Sequence, residues 1–272
     1  MSGIYESDAE RRIVELFMTN VYGKKSDTSS SNIKHDGKKG HWLETQMGVV
    51  HNRNTAPDLL GFEMKDGTES KISFGDWSAD YYIFNDPKYF PMGEKLKKIA
   101  RREKYFLPIF GKPNEEKGGR FSWSGEPIPK IKHTNSFGTT LLVDDDDNII
   151  IKYYFSLDSR ADKMEIVPEN IQVDGLTIVT WSANVMRTKV NDKFNQKGWF
   201  ICKKDKSGIY NQIVFGNPIP FEAWISMVRA GDIYFDSGMY QGNSRPYSQW
   251  RANNATLDNL VVRRYPTPKL SG

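Results

Sequence analysis

The chain has 272 residues, a net charge of +4 and a pI near 8.9, and 38% of its residues are apolar. That length suffices for one large domain or two lobes, while no apolar run reaches the ~20 residues of a membrane span and the first residues lack the basic and apolar regions of a signal peptide. The one cysteine, Cys202, excludes an intrachain disulfide and a multi-cysteine zinc site, so the expected compartment is the cytoplasm.

In chain order, Ser7-Asp8-Ala9-Glu10 is a capping-box pattern, and Ile13, Val14, Phe17, Met18 and Val21 follow at helical spacing. They predict a helix over 8–21, ending before Gly23. Residues 24–40, rich in Lys, Ser, Asp and Gly, read as a basic, mobile loop. Trp42, Leu43, Met47 and Val50 predict a short amphipathic helix over 41–50 with Glu44 on its polar side. Strands are expected at 59–65 and 70–74. The segment 85–137 is rich in Pro, Gly and Lys, and 92–100 reads as a basic helix with a solvated face; contact with phosphates is its sharper alternative. Segments 139–143 and 149–155 predict a hairpin around Asp144-Asp145-Asp146-Asp147-Asn148. That acidic run lacks the central Gly and terminal Glu of a calcium loop, so it reads as a turn. Further strands are expected at 176–182 and over 199–215, the latter folded back at 204–208, where Cys202 reads as a small core residue. Phe221 to Ala230 predicts a helix closed by Gly231. The order is mixed α and β, with β dominant after 139.

One stretch carries chemistry: Ala56-Pro57-Asp58, four residues, then Glu63-Met64-Lys65. Two acids supply the oxygen ligands that Mg²⁺ prefers. A lysine supplies positive charge beside an attacking water or a phosphate. On a strand, side chains alternate, so Glu63 and Lys65 share one face while Phe62 and Met64 point to the apolar side. The acid-x-Lys triplet recurs at Asp36, Glu69, Asp86 and Glu115, where charge content alone accounts for it. Only Glu63 follows both a Pro-Asp and an apolar run. The plain alternative is a strand with an exposed charged face.

The segment Gly40-His41-Trp42-Leu43-Glu44, followed by Asp58 to Lys65, resembles the MvaI and BcnI family of Type II restriction endonucleases. That family is related to the mismatch-repair nickase MutH within the PD-(D/E)xK nuclease superfamily. Gly231-Asp232-Ile233, Asp236-Ser237-Gly238 and Trp250-Arg251-Ala252 resemble it more loosely. The resemblance implies an α/β (α+β) fold: a PD-(D/E)xK core with a mixed sheet flanked by helices, plus a β-rich recognition lobe, with DNA in a cleft. Residues 1–137 are then mainly catalytic, and 138–272 mainly β-rich with recognition elements. It implies Mg²⁺-dependent, sequence-specific hydrolysis of double-stranded DNA, leaving a 5′-phosphate and a 3′-hydroxyl. Asp58 and Glu63 match the metal-binding acids, Lys65 the catalytic lysine, and Glu44 the additional acid on the preceding helix. The expected partners are duplex DNA and a cognate DNA methyltransferase, and the expected state is a monomer with no membrane contact.

For base reading, Asp236, Arg245, Tyr247, Gln249 and Arg251 lie among Gly and Ser, and Arg and Gln suit guanine and adenine edges in the major groove. Known relatives place histidines there, whereas this chain has none after His133, so the target sequence does not carry over. Two other functions stay open from sequence: a MutH-like nickase with the same active site, and a DNA-binding module without catalysis.

Overall fold

The computed structural model describes residues 5–27, 38–49, 56–67, 70–90 and 97–266. In chain order these form α1 (Asp8–Asn20), α2 (Lys38–Gln46), β1 (Glu63–Asp66), β2 (Lys71–Asp76), β3 (Tyr81–Tyr82), α3 (Lys98–Arg101), α4 (Leu107–Phe110), β4 (Lys112–Asn114), β5 (Arg120–Trp123), β6 (Phe137–Val143), β7 (Ile149–Asp158) and α5 (Lys163–Ile166). There follow β8 (Asp174–Trp181), α6 (Ala183–Phe194), β9 (Trp199–Lys204), β10 (Tyr210–Gly216), α7 (Phe221–Ala230), β11 (Ile233–Asp236), β12 (Met239–Tyr240), β13 (Gln249–Asn253), α8 (Asn254–Asp258) and β14 (Val261–Tyr265). The class is mixed α and β, as the resemblance implies.

Two compact units share the chain. The first comprises Met1–Ile72, Thr188–Phe221 and Asn253–Gly272; the second comprises Ser73–Arg187 and Glu222–Ala252.

In the first unit, α1 begins where the capping pattern says. Ser7 is extended and its hydroxyl accepts from Glu10 N at 3.1 Å, while Asp8 and Glu10 place negative charge in the first turn. Its apolar stripe, Ile13, Val14 and Phe17, packs with Leu43 of α2 and Met47 just after it against Phe62, Met64, Phe200, Cys202, Ile213 and Phe215. The sheet beneath runs β1-β9-β10-β14. β1 pairs in parallel with β9, Glu63 opposite Trp199 and Lys65 opposite Ile201, whereas β9 and β10 form the expected hairpin. Cys202 is fully buried, and burial pushes its thiol well up, so it is an inert core residue.

Two expectations change here, and a third lies largely outside the described residues. The helix expected over 41–50 begins at Lys38 and stops at Gln46, because Gly48 turns the chain at φ +74. Most of the loop expected at 24–40, residues 28–37, lies outside the described residues. The strand expected over 59–65 begins only at Glu63. Leu59 and Phe62 exchange backbone hydrogen bonds of 3.0 and 2.8 Å, closing a turn in which Leu60 and Gly61 are left-handed at φ +51 and +88.

The second unit carries the sheets β3-β8-β7-β6 and β12-β5-β4, and β11-β13-β2 runs into it. Its core is aromatic: Trp250 touches Trp181, Trp224 and Phe235 at 5.3, 5.4 and 5.6 Å between ring centroids. The hairpin of β6 and β7 forms as expected, and the acidic run is its turn. Asp144 Oδ1 accepts from the backbone of Asp146 and Asn148 at 3.0 and 2.8 Å. Of the expected basic helix at 92–100, residues 92–96 lie outside the described residues, and helical turns run from Lys98 to Phe110.

Candidate active site

The turn before β1 delivers the two acids together. Asp58 Oδ2 accepts from Met64 N at 3.0 Å, which fixes its carboxylate against the outer edge of β1. Glu63 N donates to Gly198 O at 3.0 Å, which pins the strand to β9. As the alternation predicts, Met64 enters the core while Glu63 and Lys65 share the other face. That face is not a solvated one, because Glu63 is 1% exposed.

Two ammonium groups meet Glu63 Oε1: Lys65 Nζ at 2.7 Å and Lys193 Nζ at 3.0 Å. Neither is in good hydrogen-bond geometry, and the buried Oε2 has no hydrogen-bond partner at all. Burial pushes the Glu63 carboxyl above its ordinary value; Lys65 and Lys193 oppose this, while the Asp58 charge adds to it. The Asp58 charge acting on Glu63 marks the two as neighbours. A lone pair left unmatched inside protein is costly unless a ligand matches it. The orphaned Glu63 oxygen and the adjacent Asp58 carboxylate therefore fit a hard divalent cation, which for Mg²⁺ is often held by one or two carboxylates and several waters. Among the described residues no three His, Cys, Asp or Glu converge, so Glu44 on α2 does not complete a three-ligand group with Asp58 and Glu63.

Lys193 was not apparent from sequence. It lies near the end of α6, a helix announced by Met186, Val190 and Phe194 at four-residue spacing, all buried. That spacing marks the helix but gives no hint that the residue beside Phe194 reaches Glu63. Phe194 also lies under Lys65, with the ammonium 5.3 Å from the ring centroid.

The base-reading candidates fall into two groups in the second unit. Asp236, Gln249 and Arg251 form one. Asp236 pairs with Gln249 across β11 and β13; Arg251 Nε contacts Asp236 Oδ2 at 3.1 Å, and its Nη2 donates to Gln249 Oε1. Arg245 and Tyr247 form the other, on the loop before β13. Arg245 Nη2 pairs with Asp76 Oδ2 at 2.7 Å, and its guanidinium covers the Tyr247 ring at 4.5 Å. Asp76 Oδ1 also accepts from Ser248 N at 2.8 Å, anchoring that loop.

Comparison with known proteins identifies the family. The family model of the LlaMI restriction endonuclease matches residues 21–265. The Type II restriction enzyme ScrFI of Lactococcus lactis subsp. cremoris is 45% identical over 264 residues, covering 93% of this chain and 97% of that protein. The solved complex of restriction endonuclease MvaI with its cognate DNA shares the fold, with a TM-score of 0.62 at 14% identity over 96% of this chain and 98% of that one. With the family model spanning most of the sequence and a restriction enzyme alike over nearly its whole length, the chain belongs to the LlaMI restriction endonuclease family of Type II enzymes.

Proposed function

We propose that this Type II restriction endonuclease cuts duplex DNA at a short specific sequence with a divalent cation, Mg²⁺ in the cell, held by Asp58 and Glu63. It leaves a 5′-phosphate and a 3′-hydroxyl. The observation that carries this reading is the buried Glu63 carboxylate, with two lysines on one oxygen, no partner on the other and Asp58 alongside.

When bound, the cation supplies Lewis-acid charge at the phosphoryl group and lowers the pKa of a coordinated water. The protein's own groups do the rest. The Met64 N–H holds Asp58 in place before any ligand arrives. Lys65, only 16% exposed, keeps an ammonium at the strand for the attacking water or a phosphate oxygen. Lys193 shares the charge of Glu63, so Lys65 does not have to balance it alone. Glu44 serves as an accessory acid, orienting water or holding a second ion. Arg245, Tyr247, Asp236, Gln249 and Arg251 read or grip the DNA. In Arg251 the guanidinium is braced on Asp236 and Gln249, which suits the fixed fork that guanine demands. The catalytic work belongs to the first unit and base reading to the second. The working form is a cytoplasmic monomer, alongside a methyltransferase that protects the host's own sites.

Plasmid digestion tests this. Wild type should give sharp linear fragments with Mg²⁺ and none with a chelator. Asp58→Asn should lose cleavage by at least about 10³-fold while still binding DNA. Stable open circles without linear product would point to a nickase, and full activity in Asp58→Asn would remove the assignment.

A further inference from the structure

Within the first unit, a shallow depression of about 470 Å³ is lined by Asp8, Ala9, Arg12, Leu60, Gly61 and Lys197. It joins the first turns of α1 to the turn that delivers Glu63. Its one acid, Asp8, is taken by Arg11 at 2.5 Å and also lies in the field of Arg12. Arg12 and Lys197 are exposed, and among the described residues neither forms an ion pair.

Lys197 is rooted in the catalytic turn. Its N–H donates to Gly61 O at 3.0 Å, and the next residue, Gly198, accepts from Glu63 N at 3.0 Å. Its stem lies over Gly61: a Cβ there would stand 3.1, 3.2 and 3.3 Å from its Cδ, Cγ and Cε. The ammonium is thus carried past the turn by a packed stem and a fixed backbone.

We propose that Arg12 and Lys197 clamp a non-scissile phosphate of the bound DNA backbone and so register the duplex against Asp58 and Glu63. This rests on the nuclease reading above. A compact ammonium and a planar guanidinium converging on one depression suit a phosphodiester, which takes a point charge from one and a fork of hydrogen bonds from the other. The contact carries no sequence information; it positions.

The test is binding of two fluorescein-labelled duplexes of equal length, with and without the mapped cleavage site. Ca²⁺ replaces Mg²⁺, and salt runs from about 50 to 200 mM. Lys197→Gln and Arg12→Gln should each lower the magnitude of the slope of log K against log salt, and the double variant should lower it by about 0.9 in all, the share of the one phosphate that the two hold. Affinity should fall by the same factor on both duplexes. Lys206→Gln, at an exposed turn of the same unit, controls for net charge. Lys197→Arg should keep the wild-type slope. Slopes no lower than that of Lys206→Gln would overturn the clamp, as would equal losses in Lys197→Gln and Lys197→Arg, which would show that the stem matters and the charge does not. With wild type cleaving, such a result leaves the nuclease reading intact; failure of wild type to cut any DNA would strike that reading itself.

Discussion

Glu63 combines deep burial with two ammonium neighbours, and in the proposed mechanism, where it is a metal ligand, the balance between them sets the acid limit of cleavage. Burial raises its carboxyl, and Lys65 and Lys193 pull it back down. A ligand acid must be ionised, so metal binding and cleavage weaken as pH falls through the raised value. Removing Lys193 takes away one of the lowering charges, so the carboxyl rises further. In Lys193→Ala the acid limb of the single-turnover pH–rate profile should therefore move to higher pH, with activity partly restored by raising the pH. An unmoved limb with a uniformly lower rate would assign Lys193 a purely structural part. Lys65→Ala should shift the limb the same way, yet stay impaired at every pH, because Lys65 also faces the reacting groups in the proposed mechanism.

At the scale of elements, the site depends on how tightly β1 and β9 enter their pairing. Gly198 sits at φ +114, and a Cβ there would stand 2.3 Å from Gly216 O. Gly198→Ala should cost about 2–4 kcal/mol, read as a lower urea midpoint, and weaken cleavage too, since the same residue holds Glu63 N. In the second unit, Asp158 at the end of β7 accepts from Tyr153 OH at 2.9 Å and from Arg160 Nε at 2.9 Å. Burial alone would raise its carboxyl, but these bonds and the Arg160 charge prevail and lower it. A lowered acid stabilises the fold above its unfolded pKa, and that contribution is lost as pH falls through the folded value. Asp158→Asn should flatten the acid limb of stability below about pH 4 in urea titrations at stepped pH. Elements built on local signals were legible in sequence: the Ser7 N-cap of α1, the hairpin of β6 and β7, and α7 closed by Gly231. The start of β1 was not, because Leu60, a residue that rarely takes positive φ, makes the turn and hides it inside an apolar run. The Glu63–Lys65 pair was legible from alternation, whereas Lys193 reaches Glu63 only through tertiary packing of α6.

For the whole molecule, the chain passes between the two units at 72/73, 187/188, 221/222 and 252/253. The first unit therefore draws its sheet from both ends and the middle of the sequence: β1, then β9 and β10, then β14. A fragment ending at residue 137 contains β1 but none of its sheet partners, and the face of α1 would have no floor. Such a fragment should show no cooperative thermal transition by circular dichroism; a sharp transition would mean that the first unit needs less of the chain than its core suggests. The crossings also fall inside β2, α6, α7 and β13, not in loops. There is no seam at which a reading module can be lifted out and another spliced in. On the proposed assignment of the base readers, a new target sequence in such a lineage arises by substitution in place, on side chains such as Arg251 and Gln249, and recombination between relatives has four regular elements to match at once.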